Sequence, residues 1–287
     1  MSGIEVDYRG KKLSEEVKVH EHGFVKLLDI MGSDEEVENA ARISYGEGTR
    51  KSSETRSLIR YLMRHRHTSP FEMGSVSFHI KLPIFIMRQL VRHRTANLNE
   101  ASLRYSEAID EYYVPDTFQN QSISNKQGRT DVEVENRGEV KFVIENIFKN
   151  TINIYHNLLD WGLARELART ILPVSNYTEV VWKIDLHNFF HFYKLRSSPH
   201  AQQEIRDYAN IMYELVKPHF PICCEAFEDY NLNAETFSAE EMKIIRDMIK
   251  HSLDFNDSKI VEDLHIMTNT EFNLSTRERK EFIEKLI

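Results

Sequence analysis

A strict alternation of apolar and polar side chains over residues 74–82 restricts the possible folds more than any other feature of the sequence. The apolar side chains are Val76, Phe78, Ile80 and Leu82, and the polar ones between them are Ser75, Ser77, His79 and Lys81. A period of two is typical of a β-strand with one face in the core. Pro83 follows at once and suits the first position of a helix, which is predicted from Ile84 to about His93. The sequence therefore predicts a strand that leads directly into a helix.

Helices are predicted over much of the remaining chain. They begin at Ser33, cover about 53–66, 132–160, 163–171 and 186–195, and resume at Ser198. Strands are predicted over 24–31 and 178–184, and residues 95–130 are predicted to be mostly loop. The run 186–195 is almost wholly apolar or aromatic, so this helix should be buried.

The character of the chain changes after residue 233. Ser238 with Glu241, and Ser275 with Glu278, match the capping box, and a short amphipathic helix follows each. A chain of 287 residues is long enough to bury a core without disulfides or metals. Residues 1–233 are therefore predicted to form one large domain, and residues 234–287 a helical C-terminal extension.

Charge and cysteine content limit the partners and the compartment. The net charge of −8 argues against nucleic-acid binding, since such domains are usually basic. The 2 cysteines, Cys223 and Cys224, are adjacent and cannot form a disulfide framework, which favours a reducing cytoplasm. The polar N-terminus does not resemble a secretory signal, and the apolar run 82–87 is too short to cross a bilayer. We expect a cytoplasmic protein without membrane or nucleic-acid partners.

Residues 88–104 form a local basic island in this acidic chain. The island holds one acid, Glu100, and four arginines, Arg88, Arg92, Arg94 and Arg104. A guanidinium matches phosphate oxygens in a two-point geometry, so the island predicts an anion site; a solvated basic surface is the alternative. Arg169 and Arg196 also lie beside apolar segments, where each could instead complement a helix dipole.

The histidines, the serine of the basic island and the cysteines give weaker evidence for a metal or catalytic site. His187 and His191 share one helix face, a spacing that can bind zinc, but the glutamate of an H-E-x-x-H motif is missing and no metal is predicted. Ser102 is not flanked by the glycines of a nucleophile elbow. Acids follow Cys223 and Cys224 and should raise a thiol pKa, so a reactive thiolate is not expected.

Four motifs resemble the flavin-dependent thymidylate synthase family. The first is RHR, seven residues and a serine, in RHRTANLNEAS over residues 92–102. The others are HTSPFE over 67–72, FHIKLPIFIMRQ over 78–89 and LRSSPHAQQEIR over 195–206. Their order and spacing fit that family over about residues 20–230.

The resemblance implies an α+β fold, in which a single large domain has a small sheet and several long helices. It also implies a homotetramer whose FAD and dUMP sites are shared between subunits. The implied reaction is the reductive methylation of dUMP to dTMP in de novo dTMP biosynthesis. Methylenetetrahydrofolate donates the carbon, and FAD reduced by NADPH supplies the hydride.

The family's binding residues carry over motif by motif. For dUMP the resemblance implies Gln89, Leu90, Val91, Arg92, Glu100, Ala101, Ser102, Leu103, Arg104, Arg169 and Arg196. For FAD it implies Ser69, Arg92, His93, Arg94, Glu100, Asp185, Leu186, His187 and His191. His67 is expected on the folate and nicotinamide side. Arg196 matches the family's uracil-activating arginine and is the expected catalytic residue.

Two other functions stay open on the sequence alone. The histidines could serve a metal-dependent hydrolase, and the basic island could serve a non-catalytic nucleotide-binding protein. The ligands of the synthase are all anionic, however, and an acidic chain would need a concentrated arginine pocket to hold them. No cysteine is placed for the covalent attack of classical thymidylate synthases, which is consistent with a flavin hydride as the reductant.

Overall fold

The computed structural model describes residues 15–43, 54–123, 126–252 and 275–286. The chain forms two compact units, Met1–Phe227 and Glu228–Ile287. The predicted domain boundary after residue 233 lies a few residues further along the chain and stays a prediction.

A five-stranded antiparallel sheet organises the first unit. In spatial order its strands are β1 (Val17–Val19), β2 (Gly23–Met31), β3 (Ser75–Pro83), β7 (Tyr177–Asp185) and β4 (Ala96–Glu100). The alternating segment is β3, which pairs with β7 from Ser75 opposite Asp185 to Pro83 opposite Tyr177. As the alternation predicted, its buried apolar side chains are at most 1% exposed: Val76, Phe78, Ile80 and Leu82.

Three short strands lie wholly or partly in the region 95–130, which was predicted to be mostly loop. At the edge of the sheet β4 pairs with β7, while β5 (Gln119–Gln121) and β6 (Arg129–Glu133) form a separate two-stranded sheet. The loop prediction was therefore wrong for these residues. The sequence of β4 is ANLNE, and all but its first residue are exposed. Backbone pairing holds this edge strand, so it lacks the apolar alternation that reveals a half-buried strand.

Each of the two central strands runs directly into a helix. After β3 comes α4 (Ile84–Leu90), with Pro83 as its N-cap residue rather than its first helical residue, and it ends before the predicted His93. After β7 comes α7 (Leu186–Arg196), whose N-cap residue is Asp185. Because β3 and β7 are antiparallel, the two helices begin at opposite ends of the strand pair.

Further helices complete the first unit. They are α1 (Asp34–Ile43), α2 (Thr55–Arg64), α3 (Ser69–Glu72), α5 (Arg137–Asp160), α6 (Arg165–Ala168), α8 (Gln203–Val216) and α9 (Pro221–Phe227). A 3-10 turn, Arg169–Ile171, follows α6. The helix predicted from Ser198 begins later, because the Ser198 carbonyl accepts the Ala201 N–H at 2.9 Å and closes a turn. None of the described helices has the length and apolar character needed to cross a membrane.

The contact between the sheet and α7 is aromatic. Phe78 of β3 stacks on Phe189 with ring centroids 5.9 Å apart, and Trp182 of β7 meets Phe192 at 5.1 Å. Phe189 and Phe192 are 0% exposed, which confirms the predicted burial of this helix. Near its C-terminal end Leu195 is 49% exposed, so the helix emerges from the core as it reaches Arg196.

In its described residues, the second unit has a π-helical turn and two helices. These are Glu228–Leu232, α10 (Ala239–Ser252) and α11 (Thr276–Leu286). Both predicted capping boxes are formed. The Ser238 N–H donates to the Glu241 carboxylate at 2.7 Å, and the Glu241 N–H donates to Ser238 Oγ at 3.3 Å. The pair Ser275 and Glu278 repeats this pattern at 2.7 and 3.4 Å.

Candidate active site

Arg196, the last residue of α7, reaches the C-terminal end of α4. Its Nε donates a hydrogen bond to His93 Nε2 at 3.0 Å, and its Nη2 donates to the backbone oxygen of Gln89 at 3.2 Å. Gln89, His93 and Arg196 are called the inner cluster below. His93 is 9% exposed and Arg196 is half-buried, so contacts within the chain hold this part of the predicted site.

Burial sets the protonation of the inner cluster. Together with the nearby Arg196 and His191, burial lowers the pKa of His93 from 6.5 to about 4, and burial is the largest of these causes. Burial also lowers the pKa of the Arg196 guanidinium, with repulsion from Arg92 adding to the effect. His93 is therefore neutral at pH 7, and since its Nε2 accepts a hydrogen bond, its proton lies on Nδ1.

Neighbouring side chains hold the other members of the inner cluster. The His93 ring meets Phe192 edge-on, with centroids 5.0 Å apart, and lies 6.1 Å from the His191 ring. The side-chain amide of Gln89 donates to Gln202 Oε1 at 2.7 Å. Gln202 was not among the predicted site residues, although it lies within the motif 195–206.

The chain then follows an exposed edge, called here the outer arm, over residues 94–106. Arg94 and Arg104 are exposed and Ser102 is half-buried. A turn closes at the end of β4, because the Ser102 carbonyl accepts the N–H groups of Tyr105 and Ser106 at 3.0 and 3.1 Å. The outer arm thus presents its polar groups to solvent in the single chain.

An ion pair joins the outer arm to the segment that carries Arg169. Arg104 Nη2 lies 3.1 Å from the carboxylate of Glu166, and both side chains are more than half exposed. Glu166 belongs to α6, and the exposed Arg169 begins the 3-10 turn directly after it. Two arginines predicted to bind dUMP therefore come from segments that are in contact. No local sequence signal marks Glu166, because the contact depends on tertiary structure.

Two hydrogen bonds fix the middle of the outer arm to β7. The Thr178 hydroxyl donates to the Glu100 carboxylate at 2.8 Å, and the Ala101 N–H donates to the Glu179 carbonyl at 2.9 Å. The Thr178 bond uses only part of the hydrogen-bonding capacity of the Glu100 carboxylate, which can accept several donors. Glu100 is exposed and thus available to a ligand.

The remaining predicted FAD residues gather along α7. Asp185 Oδ1 accepts the backbone N–H of Asn188 at 2.9 Å, and its Oδ2 accepts the Asn188 amide at 2.7 Å. Both carboxylate oxygens of Asp185 therefore already have a partner in the helix. His187 is half-buried and His191 is exposed, at positions four residues apart on one helix face.

Helix α3 brings two more predicted residues beside the start of α7. The Leu186 N–H donates to the Gly74 carbonyl at 2.9 Å, and α3 packs against α7. Ser69 and His67 are both exposed, and the His67 ring lies 5.9 Å from that of Tyr61. Since α7 has 11 residues, its two ends, with the two groups of site residues, are about 16 Å apart.

Two predicted ligand residues have side chains in the core. Leu90 is 1% exposed and Leu186 is 0% exposed, so a ligand could reach them only through their backbone atoms. Val91 and Ala101 are exposed and Leu103 is half-buried. The motif-based prediction therefore includes core side chains together with exposed ones.

The charge of the site fits a phosphate-bearing cofactor such as FAD. Among the described residues, Arg92 and Arg94 form no ion pair, and neither does Arg88. Exposed guanidinium groups without a carboxylate partner can each take two phosphate oxygens. The Nε2 of His93 is already bound to Arg196, so any contact of His93 with FAD falls to its Nδ1–H or its backbone.

The cysteines lie in α9, both are 0% exposed, and neither is in a disulfide. Burial raises the pKa of the Cys223 thiol, and the Asp34 carboxylate beside it raises it further. The backbone N–H groups of Ile222 and Cys223 donate to Asp34 at 2.8 and 2.9 Å. This agrees with the expectation that Cys223 is not a nucleophile.

A cavity of about 270 Å³ lies between the β1–β2 turn, residues 110–116 and α5. Its lining residues are Glu21, His22, Asp110, Tyr112, Val114, Pro115, Asp116, Lys141, Glu145 and Lys149. The predicted site residues do not line it. In the described part of the chain, no three His, Cys, Asp or Glu side chains are placed to hold a metal ion.

Comparison with known proteins finds relatives across most of the chain. The family model described as thymidylate synthase complementing protein matches residues 26–222. A flavin-dependent thymidylate synthase of Treponema denticola is 48% identical over 241 residues, which are 83% of this chain and 91% of that protein. One of Dictyostelium discoideum is 48% identical over 242 residues, or 80% of each protein.

Solved structures share the fold as well as the sequence. The crystal structure of PolB, a UMP/dUMP methylase of Streptomyces cacaoi bound with 5-Br UMP, is 34% identical with a TM-score of 0.68. The match covers 75% of this chain and 98% of that chain. The same methylase bound with 5-Br dUMP gives a TM-score of 0.67.

Proposed function

Because the chain belongs to the flavin-dependent thymidylate synthase family, we propose that its inner cluster and outer arm bind dUMP and methylate it to dTMP. The chain is an FAD-dependent methyltransferase with an α+β fold. The relatives give no support to a metal-dependent hydrolase or to a non-catalytic nucleotide-binding protein.

The half-buried guanidinium of Arg196 is the observation that carries the proposal. Two hydrogen bonds, to Gln89 and His93, fix it, and the chain neighbours of those two residues include Arg88, Arg92 and Arg94, which are exposed and form no ion pair with the described residues. A fixed cation beside a basic surface suits a ligand that has a phosphate at one end and a ring that becomes anionic at the other.

The chemistry of uracil assigns the role of Arg196. Carbon 5 is a poor nucleophile until negative charge is placed on the ring, and that charge falls on the N3–O4 side. The planar guanidinium of Arg196 can hold this charge at two points and does not lose its own proton at working pH. Partial burial strengthens the interaction relative to water. When bound, FAD supplies the hydride, and methylenetetrahydrofolate supplies the carbon.

The outer arm and its neighbours are proposed to hold the anionic groups. Arg104 and Arg169 would bind the dUMP phosphate, and Ser102 would position the nucleotide without becoming a covalent nucleophile. The remaining FAD contacts are assigned to Ser69, Arg92, Arg94, Glu100, Asp185, His187 and His191. His67 is assigned to the side where folate and the nicotinamide of NADPH approach.

We propose a homotetramer whose FAD and dUMP sites are shared between subunits. Exposed apolar side chains follow α5 and the turn after it: Phe142 at 68%, Val143 at 52%, Ile147 at 55%, Ile154 at 43% and Trp161 at 79%. Apolar surface of this extent usually marks a protein interface. Residues 1–233 would form the synthase domain and 234–287 an extension to it. The free, buried cysteines suit the cytoplasm, in which we place the enzyme.

Anaerobic synthesis of dTMP tests the proposed function. The purified, FAD-loaded protein is incubated with dUMP, methylenetetrahydrofolate and NADPH, and the nucleotides are separated by chromatography. We expect dTMP to form only when all three substrates are present. A flavin-loaded protein that forms no dTMP would contradict the proposal. Light scattering on the same sample tests the tetramer, and a monomer that still carries FAD would contradict that part.

A further inference from the structure

We propose that His93 is a positioning residue, whose imidazole sets the orientation of the Arg196 guanidinium in the free enzyme. The inference rests on the proposed function, because Arg196 is the group expected to act on the uracil ring. It assigns a role to the side chain of His93 that differs from a contact with FAD.

The hydrogen bonds of Arg196 divide its guanidinium into two edges. Nε and Nη2 form one edge, and this edge is bound to His93 Nε2 and to the Gln89 carbonyl. A guanidinium has five N–H groups. With respect to the described residues, three of them stay available, two on Nη1 and one on Nη2. The free outer edge can therefore make a two-point contact with a planar anionic ring while the inner edge stays fixed.

The position of His93 requires a hydrogen-bond acceptor that is not a cation. A cationic side chain would repel Arg196, and an apolar ring would leave the Nε–H without a partner. Burial, with the nearby Arg196 and His191, lowers the pKa of His93 and keeps the imidazole neutral at pH 7. The ring is also confined by Phe192, at 5.0 Å between centroids, so Nε2 is aimed at one place.

The burial pattern within RHR agrees with this role. Arg92 and Arg94 are exposed, whereas His93 between them is buried. The outer two residues of the motif can thus meet ligands directly while the middle one turns inward to Arg196. Arg92 and Arg94 thus supply two cations for ligands, and His93 supplies a neutral hydrogen-bond acceptor for the Arg196 cation.

A pair of amide variants tests the proposal most directly. In His93→Gln the side-chain oxygen takes the place of Nε2, whereas in His93→Asn the oxygen takes the place of Nδ1. The two variants have the same chemistry and differ in where the acceptor lies. We expect His93→Asn to lose about ten- to a hundredfold in turnover at saturating dUMP, the range for a hydrogen bond to a charged group. We expect His93→Gln to retain most of the activity.

Three further measurements separate positioning from general damage. Flavin absorbance and the KM for dUMP should change little in both variants, because the substitutions should lower turnover and leave the binding of FAD and dUMP almost unchanged. Combining His93→Asn with Arg196→Ala should cost nothing beyond Arg196→Ala alone, since the effect passes through Arg196. His93→Phe, which keeps a ring but has no acceptor, should behave like His93→Asn.

Equal turnover in His93→Gln and His93→Asn would overturn the proposal, and so would losses that multiply in the double variant. These outcomes differ from failure of the proposed function itself. If the parent enzyme forms no dTMP, the proposed function fails. If the parent forms dTMP and the position of the acceptor does not matter, only the role of His93 fails.

Discussion

The inner cluster and the outer arm differ in how far a single chain organises them. In the inner cluster, each residue is bound by another: Arg196 by His93 and the Gln89 backbone, and the Gln89 side chain by Gln202. In the outer arm, Arg94 has no described ion-pair partner, and Arg104 has one exposed pair. The group proposed to stabilise charge is thus held in place within the single chain, while the groups proposed to bind phosphate are exposed to solvent.

The largest effect is expected at Arg196. Arg196→Ala should fold and keep FAD, yet lose on the order of 10²–10³ in turnover at saturating dUMP, as when one preorganised donor is removed. Arg196→Lys should recover little, because an ammonium cannot make a planar two-point contact. If Arg196 only capped its helix, the alanine variant would melt slightly earlier and turn over normally. Turnover of the alanine variant within a few-fold of the parent would therefore contradict the catalytic role.

The response to acid should come from the inner cluster. The pKa of His93 is about 4 in the folded protein against 6.5 when unfolded, so between these values only the unfolded state binds the proton. Stability is then fully present above pH 6.5 and is lost as the pH falls towards 4, by an amount on the order of 3 kcal/mol. The free energy of unfolding, measured with denaturant at a series of pH values, should depend on pH differently in the parent and in His93→Gln between pH 6.5 and 4. Parallel pH curves would show that His93 titrates normally.

In the outer arm, Arg104→Ala should weaken dUMP far more than FAD. A charge-assisted contact contributes about 1.5–3 kcal/mol, so the dUMP dissociation constant should rise roughly ten- to a hundredfold. Glu166→Gln is the matched control, because it breaks the ion pair and keeps the guanidinium. An exposed pair contributes at most about 1 kcal/mol, so this variant should bind dUMP within a few-fold of the parent. Equal weakening of dUMP and FAD by Arg104→Ala would mean that the phosphate assignment is wrong.

The smallest effect is expected at the other end of α7. Asp185→Ala removes the N-cap bond to Asn188 and should lower the free energy of unfolding of the FAD-free protein by about 1 kcal/mol. Asp185→Asn is the control, since asparagine caps helices equally well. Equal stability of Asp185→Ala and the parent in chemical denaturation would show that the cap adds nothing.

The fold could be predicted where an element is buried, because burial gives its apolar residues a regular pattern in the sequence. The alternation of β3 and the aromatic run of α7 each identified a buried element, and both capping boxes of the second unit were legible from serine and glutamate spacing. The edge strand β4 was not predicted, because its backbone is paired while its side chains are exposed to solvent.

For the candidate site, the sequence indicated a stretch of chain and did not indicate its contacts. The motifs identified Arg196, Arg104 and His93, yet no local pattern showed that Arg196 binds His93, or that Arg104 pairs with Glu166. Those contacts depend on where distant segments meet. For the same reason the motif included Leu90 and Leu186, whose side chains belong to the core.

The length of helix α7 sets the distance between the two groups of candidate site residues at its ends. Asp185 caps its first turn and Arg196 is its last residue, so the helical repeat alone sets the distance and the angle between them. Inserting one residue would turn Arg196 by about 100° around the helix axis and shift it by about 1.5 Å, moving it away from His93. The number of residues in this helix is therefore under tighter constraint than the identity of its exposed side chains, and tolerated insertions should fall in the loops on either side of the strand–helix unit.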